Sequence, residues 1–205
     1  MIAGQSIAGL SVAGIPIATA NRADQEPPHV FAGTDVSYTF TPPKAGRWKF
    51  VGWGPGHSSG ASGAYVEITR FLNTSQSATL HVGGQGVSDT TITLPGAVAT
   101  AGRAAAGPVV GAATGGDVNL AGSLPGTGGS DGVAGLGTGG GAGGDGDGST
   151  YDGGGGAPAN LPFRGAAGGD ENANEGPGVG AGAGGRGAGL YPGGPGLILA
   201  VYVGP

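Results

Sequence analysis

The sequence predicts an all-β protein: a small β-sandwich joined to a lattice of extended glycine threads, with an extended N-terminal docking segment. Three observations predict it. Short stretches alternating apolar and polar residues recur at roughly ten-residue spacing between positions 36 and 94, with turn residues between them, as in a sandwich or barrel. Glycine numbers 52 and proline 15 in 205 residues, and most of the glycine falls between 102 and 196. The chain then closes on Leu197-Ile198-Leu199-Ala200-Val201-Tyr202-Val203, a continuous apolar run that fits a strand buried on both faces.

The elements follow in order. Ile2-Ala3-Gly4-Gln5-Ser6, Ile7-Ala8-Gly9-Leu10-Ser11 and Val12-Ala13-Gly14-Ile15-Pro16 share a five-residue period, and Ile17-Ala18 opens a fourth copy. That period matches neither helix nor strand. It predicts a short coil with Ile2, Ile7, Val12 and Ile17 along one line. An apolar line of this kind cannot bury itself, so residues 1–28 are expected to dock on a partner or on copies of themselves. Gly4, Gln5, Gly9 and Ser11 interrupt any apolar h-region and no basic n-region precedes it, so a secretory leader is not expected.

A strand hub is expected over 29–101. Val36-Ser37-Tyr38-Thr39-Phe40 alternates, and Pro42-Pro43-Lys44-Ala45-Gly46 turns the chain. Residues 47–53 place Trp48, Phe50 and Gly52 on one face and Arg47, Lys49, Val51 and Trp53 on the other. Residues 64–71, 78–82 and 90–94 read as further strands. The terminal segment, 196–205, is expected to return to this hub beside residues 47–53.

Between them, 102–195 is too rich in glycine for a helix, where each glycine costs about 1 kcal/mol relative to alanine. It also carries too few large side chains for an ordinary sheet core. Disorder and a glycine lattice are the two readings. In the lattice, threads run extended with three residues per turn, and main-chain groups bond across them because no Cβ intervenes. The wandering glycine spacing excludes collagen's strict repeat. Pinning both ends of the tract to one hub favours its ordering.

Composition narrows the function. A net charge of −5 with singly scattered basic residues argues against nucleic acid as partner. Cys is 0, so disulfides, thiolate metal sites and thiol nucleophiles are excluded. No segment reaches the ~18 apolar residues of a helical membrane span, and no membrane insertion is expected.

The order of these pieces resembles the glycine-rich domain of bacteriophage tail fibre and tail-tip adhesin proteins. The matching stretches run from Tyr38 through Pro42-Pro43-Lys44-Ala45-Gly46 to Trp53-Gly54, then Gly63-Ala64-Tyr65-Val66-Glu67, then Leu80-His81-Val82-Gly83-Gly84-Gln85-Gly86. The glycine tract and the closing apolar strand complete the pattern. Where the family has Trp-Gly-Ala-Gly-Gly, this chain has Trp53-Gly54-Pro55-Gly56. The resemblance implies polyglycine-II threads, surface-exposed loops that touch a host receptor, and other tail or baseplate proteins as partners. The apolar N-terminal line needs cover, so a homo-oligomer such as a trimer is expected. It implies a virion structural protein; no cofactor and no enzymatic activity are expected, because no catalytic or phosphate-binding set can be named among the residues. A capsid decoration or head-fibre protein, and an extracellular glycine-rich module, are the competing readings.

On that resemblance Tyr151, Phe163, Arg164 and Tyr191, which interrupt the tract, are candidates for receptor contact; the alternative is that they cap lattice edges. Metal binding has one weak candidate. Asp145, Asp147 and Ser149, with Asp152 beyond them, carry oxygen at the opening spacing of a calcium loop, but Gly156 stands where the closing Glu would be. A solvated acidic loop is the simpler reading. Gly139-Gly140-Gly141-Ala142-Gly143-Gly144 fits Gly-x-Gly-x-x-Gly only as a consequence of composition. The histidines are His29, His57 and His81. His57-Ser58-Ser59 is placed in a loop, His81 is read as a sheet side chain, and no catalytic set can be named.

Overall fold

A strand with a large side chain at every second position presents those side chains together on one face, which a core can cover. The computed structural model shows this for Trp48 and Phe50, both fully buried, and describes residues 26–58, 61–106, 109–124 and 193–205. It also gives one main-chain pairing within the N-terminal repeat. There β1 (Ser11–Val12) pairs antiparallel with β2 (Ile15–Pro16), so these four residues of the repeat are extended and paired. Ile2, Ile7 and Ile17 lie outside the described residues, as does the side chain of Val12.

The hub is a sandwich of two five-stranded antiparallel sheets. Its strands are β3 (His29–Ala32), β4 (Val36–Phe40), β5 (Gly46–Trp53), β6 (Tyr65–Leu72), β7 (Ala78–Val82), β8 (Thr90–Leu94), β9 (Ala97–Ala101), β10 (Ala113–Thr114), β11 (Val118–Leu120) and β12 (Leu197–Gly204). The first sheet has the order β10-β9-β8-β7-β4 and the second β11-β6-β5-β12-β3. The described part is thus all-β, as the alternation predicted.

The terminal run returns where expected. β12 inserts between β5 and β3, pairing Leu199 with Val51 on one side and with Val30 on the other. Ile198, Leu199 and Ala200 are buried, so this strand is covered on both faces. Inner-face residues Trp48, Phe50, Val66, Ile68, Ile198 and Ala200 of the second sheet meet Phe40, Leu80, Val82, Ile92 and Ala99 of the first. Edge-to-face aromatic pairs, Phe40–Trp48 at 5.0 Å and Phe40–Phe50 at 5.7 Å between centroids, fill one end. Trp48 Nε1 donates to Lys44 O at 3.2 Å, which ties the Pro42-Pro43 turn to the core.

Three differences from the sequence reading stand out. His29–Ala32 and Ala97–Ala101 are strands that alternation did not reveal. Ala97–Ala101 is closed onto β8 by the two-residue Pro95-Gly96 turn, with Gly96 at φ 76. The sheets also continue past residue 101, since β10 extends the first sheet and β11 the second. Val118, Asn119 and Leu120 carry enough side chain to act as an ordinary edge strand, although they lie within the stretch expected to be glycine lattice.

Candidate functional site

Glycine leaves space, and at one end of the sandwich that space is filled by main chain. Six short segments, around residues 54–57, 61–64, 102–104, 111–112, 122–123 and 193–194, bond to one another through backbone groups. Gly54 N donates to Ala64 O at 2.9 Å, Ala64 N to Gly102 O at 2.9 Å and Gly102 N to Ala112 O at 2.8 Å. Gly111 N donates to Ser62 O at 3.1 Å, Gly122 N to Gly111 O at 2.9 Å and Gly56 N to Gly194 O at 2.9 Å. A Cβ on any of Gly54, Gly63, Gly102, Gly111, Gly122 or Gly193 would stand closer than 3.0 Å to a backbone atom of a neighbouring segment. None of these six has the left-handed φ that favours glycine. They are glycine because their neighbours are too near for a Cβ.

Side-chain hydroxyls finish the bundle. Ser62 and Ser123 are buried, and Ser123 N donates to Ser62 Oγ at 2.5 Å. The chain leaves this bundle at Leu124 and re-enters it at Gly193, so both ends of the stretch 125–192 are rooted in the same place.

The outer face of the second sheet carries a second apolar layer. Val51, Trp53, Tyr65 and Leu199 are buried there, with Leu120 and Leu197 packed against them. Trp53 Nε1 is buried with no hydrogen-bond partner among the described residues. Beside this layer the Tyr65 hydroxyl donates to Glu67 Oε1, and Glu67 Oε2 is paired with Lys49 Nζ. Burial, then the bond to the Glu67 carboxylate, pushes the Tyr65 phenol well above its ordinary range.

At the β10–β11 turn Asp117 accepts from Thr69 N at 2.6 Å and from Arg70 Nη1 at 2.9 Å. The Thr69 N–H, followed by the Arg70 guanidinium, holds its carboxyl below the usual range. This pair staples the edge strand β11 to β6.

The outer face of the first sheet is polar. Register places Ser37 of β4 directly opposite His81 of β7, and His81 opposite Thr91 of β8. Ser37 Oγ lies 3.0 Å from His81 Nδ1. His81 Nε2 lies 3.0 Å from Ser88 Oγ and 3.3 Å from Asp35 Oδ1. Ser88 Oγ donates to Asp35 Oδ1 at 2.6 Å and accepts from Gly84 N at 3.2 Å. His81 is a sheet side chain, as the sequence suggests. The structure gives it a serine on one nitrogen and a carboxylate on the other.

Of the residues singled out by sequence, Tyr151, Phe163, Arg164, Tyr191, Asp145, Asp147, Ser149 and Asp152 all lie outside the described residues. Gly56-His57-Ser58-Ser59-Gly60 spells Gly-x-Ser-x-Gly, but a nucleophile elbow needs a helix after it, and the next element is strand β6. Among the described residues no group of three or more His, Asp or Glu is placed to hold a metal ion. Among the same residues no helix is long and apolar enough to cross a membrane. Comparison with protein-family models and with curated proteins finds no match to this chain.

Proposed function

We propose that this protein is a structural and adhesive component of a phage virion, placed at a tail fibre or tail tip. In this reading the N-terminal repeat docks on neighbouring virion proteins, and the sandwich is the rigid base. The glycine tract, held as polyglycine-II-like threads in a homo-oligomeric assembly, presents Tyr151, Phe163, Arg164 and Tyr191 to a host-surface receptor.

One observation carries the proposal. The thread bundle roots both ends of the stretch 125–192 in backbone-to-backbone bonds between glycines. Such a base suits display, because rigid loops lose little ordering entropy when they meet a receptor. The order of strands, glycine tract and closing strand, shared with the resembling adhesins, gives the second support.

Attachment tests it. The purified protein should bind host cells and compete with phage adsorption, and antibody label on assembled particles should fall at the tail. Tyr151→Ala or Phe163→Ala should reduce binding and leave melting unchanged. Label on the head would move the protein to the capsid-decoration reading. Loss of melting temperature with binding per folded molecule unchanged would make the aromatic residues lattice caps.

A further inference from the structure

We propose that Ser37 is an activated nucleophile, with His81 as its general base and Asp35 as the group that orients the imidazole, and that it accepts the acyl group of small esters. This rests on the described sheet alone and is independent of the adhesive reading.

The hydrogen-bond inventory fixes the tautomer. Ser88 has a single hydroxyl proton, and it is spent on Asp35 Oδ1, since an ionised carboxylate only accepts. Ser88 Oγ can therefore only accept from His81 Nε2, and Asp35 can only accept from it as well. In the neutral ring Nε2 must then carry the proton. Nδ1 is left as a bare base, and Ser37 Oγ at 3.0 Å supplies the proton that fills it. A nucleophile within hydrogen-bond reach of a base, itself oriented by a third group, is the arrangement that activates serine. The two ring nitrogens are exchanged relative to the protease triad, and either can serve as base.

The fold sets this geometry rigidly. Ser37 and His81 are directly opposed residues of one β-ladder, so main-chain pairing alone holds them together. Asp35, at φ 56, sits in the turn between the two edge strands β3 and β4. The Gly84–Ser88 loop brings Ser88 over the ring through Gly84 N.

The chemistry balances. Ser37 Oγ bonds to the ester carbonyl carbon as its proton passes to His81 Nδ1. The bond from that carbon to the alcohol oxygen breaks, and the departing oxygen takes the proton from Nδ1. Water then adds to the acyl carbon, giving its proton to Nδ1. The Ser37 Oγ–acyl bond breaks, and Ser37 recovers its hydrogen from the ring. The sum is ester plus water giving acid plus alcohol. Ser37 is exposed on the outer sheet face and Asp35 in the adjoining turn, which admits an acetyl-sized acyl group on any carrier rather than a long chain needing a pocket. General-base assistance alone is worth ~10²–10⁴-fold.

The test uses p-nitrophenyl acetate on the full chain, with the acetylated positions mapped by peptide mass spectrometry. Ser37 should acetylate on the order of 10²-fold faster than Ser75, an exposed serine whose hydroxyl donates to Asn73 Oδ1. His81→Gln should abolish the difference. Ser88→Ala, which leaves the Ser37–His81 pair in place but takes away the nearer partner of Nε2 and leaves Asp35 at 3.3 Å, should reduce it. Equal labelling of Ser37 and Ser75 in the unaltered protein would overturn the proposal without any variant having to fold. So would a Ser37 rate unchanged by His81→Gln in protein that melts normally.

Discussion

Replacing Gly63 by alanine tests the bundle at one of its tightest points. The added methyl would stand well inside 3.0 Å of Gly54 O, a backbone atom that no rotamer change can move. Relief needs the two segments to part by about 1 Å, since carbon and oxygen do not approach within that limit. Parting them strains Gly54 N–Ala64 O and Ala64 N–Gly102 O, both 2.9 Å. Each bond is worth about 1 kcal/mol net, and leaving a buried partner unmatched costs about 1–3 kcal/mol. Overpacking of a dense site adds about 1–3 kcal/mol. The expected total is about 3–5 kcal/mol, a large share of the ~5–15 kcal/mol that holds a domain together. Gly96→Ala is the comparator. Nothing lies within 4 Å of its added carbon, so only the left-handed φ of 76 is penalised. That cost is about 1–2 kcal/mol. Urea unfolding followed by tryptophan fluorescence, with slopes compared, gives both values. A loss for Gly63→Ala no larger than for Gly96→Ala would refute close backbone approach as the reason for glycine.

Three further outcomes are expected. Asp117→Asn should cost about 1 kcal/mol in thermal or urea unfolding, because its bonds to Thr69 N and Arg70 lie at an exposed turn. Because the Asp117 carboxyl is held below its ordinary range, its contribution is complete above pH about 4 and disappears as pH falls further, and Asp117→Asn should flatten that limb of the stability profile. The raised Tyr65 phenol predicts the opposite limb: stability present below pH about 10 falls as pH rises, and Tyr65→Phe should reduce that fall while ultraviolet titration shows one tyrosine ionising late. Phe50→Ala, at a fully buried position between the sheets, should cost about 3–5 kcal/mol by the same unfolding assay.

Much of the sandwich could be read from the chain because it depends on local alternation. Val36–Phe40, Ala78–Val82 and Thr90–Leu94 were delimited by period alone, and the Trp48/Phe50 face was assigned correctly. Ala97–Ala101 escaped because alanine has weak strand preference, and its burial comes from cross-sheet packing. His29–Ala32 escaped because four residues after Pro27-Pro28 carry too little periodicity; their strand character comes from pairing with β12. The Ser37–His81–Asp35 set had no sequence signal at all. Residues 44 positions apart meet only through the β4–β7 register. The crowding of glycines was visible as composition, but which of them touch was not. Gly54 and Gly111 are brought near the same Gly102 carbonyl by the fold, not by any spacing along the chain.

The common root of Leu124 and Gly193 has an evolutionary consequence. A base whose cohesion is drawn from peptide groups does not discriminate among side chains in the stretch that departs from it. That intervening cassette can exchange residues, lengthen or shorten, and the foundation registers none of it so long as the few crowded glycines stay. Rapid diversification of the cassette and near-fixity of its footing would then be expected in one polypeptide, separated by only a residue or two at Ser123 and Gly194.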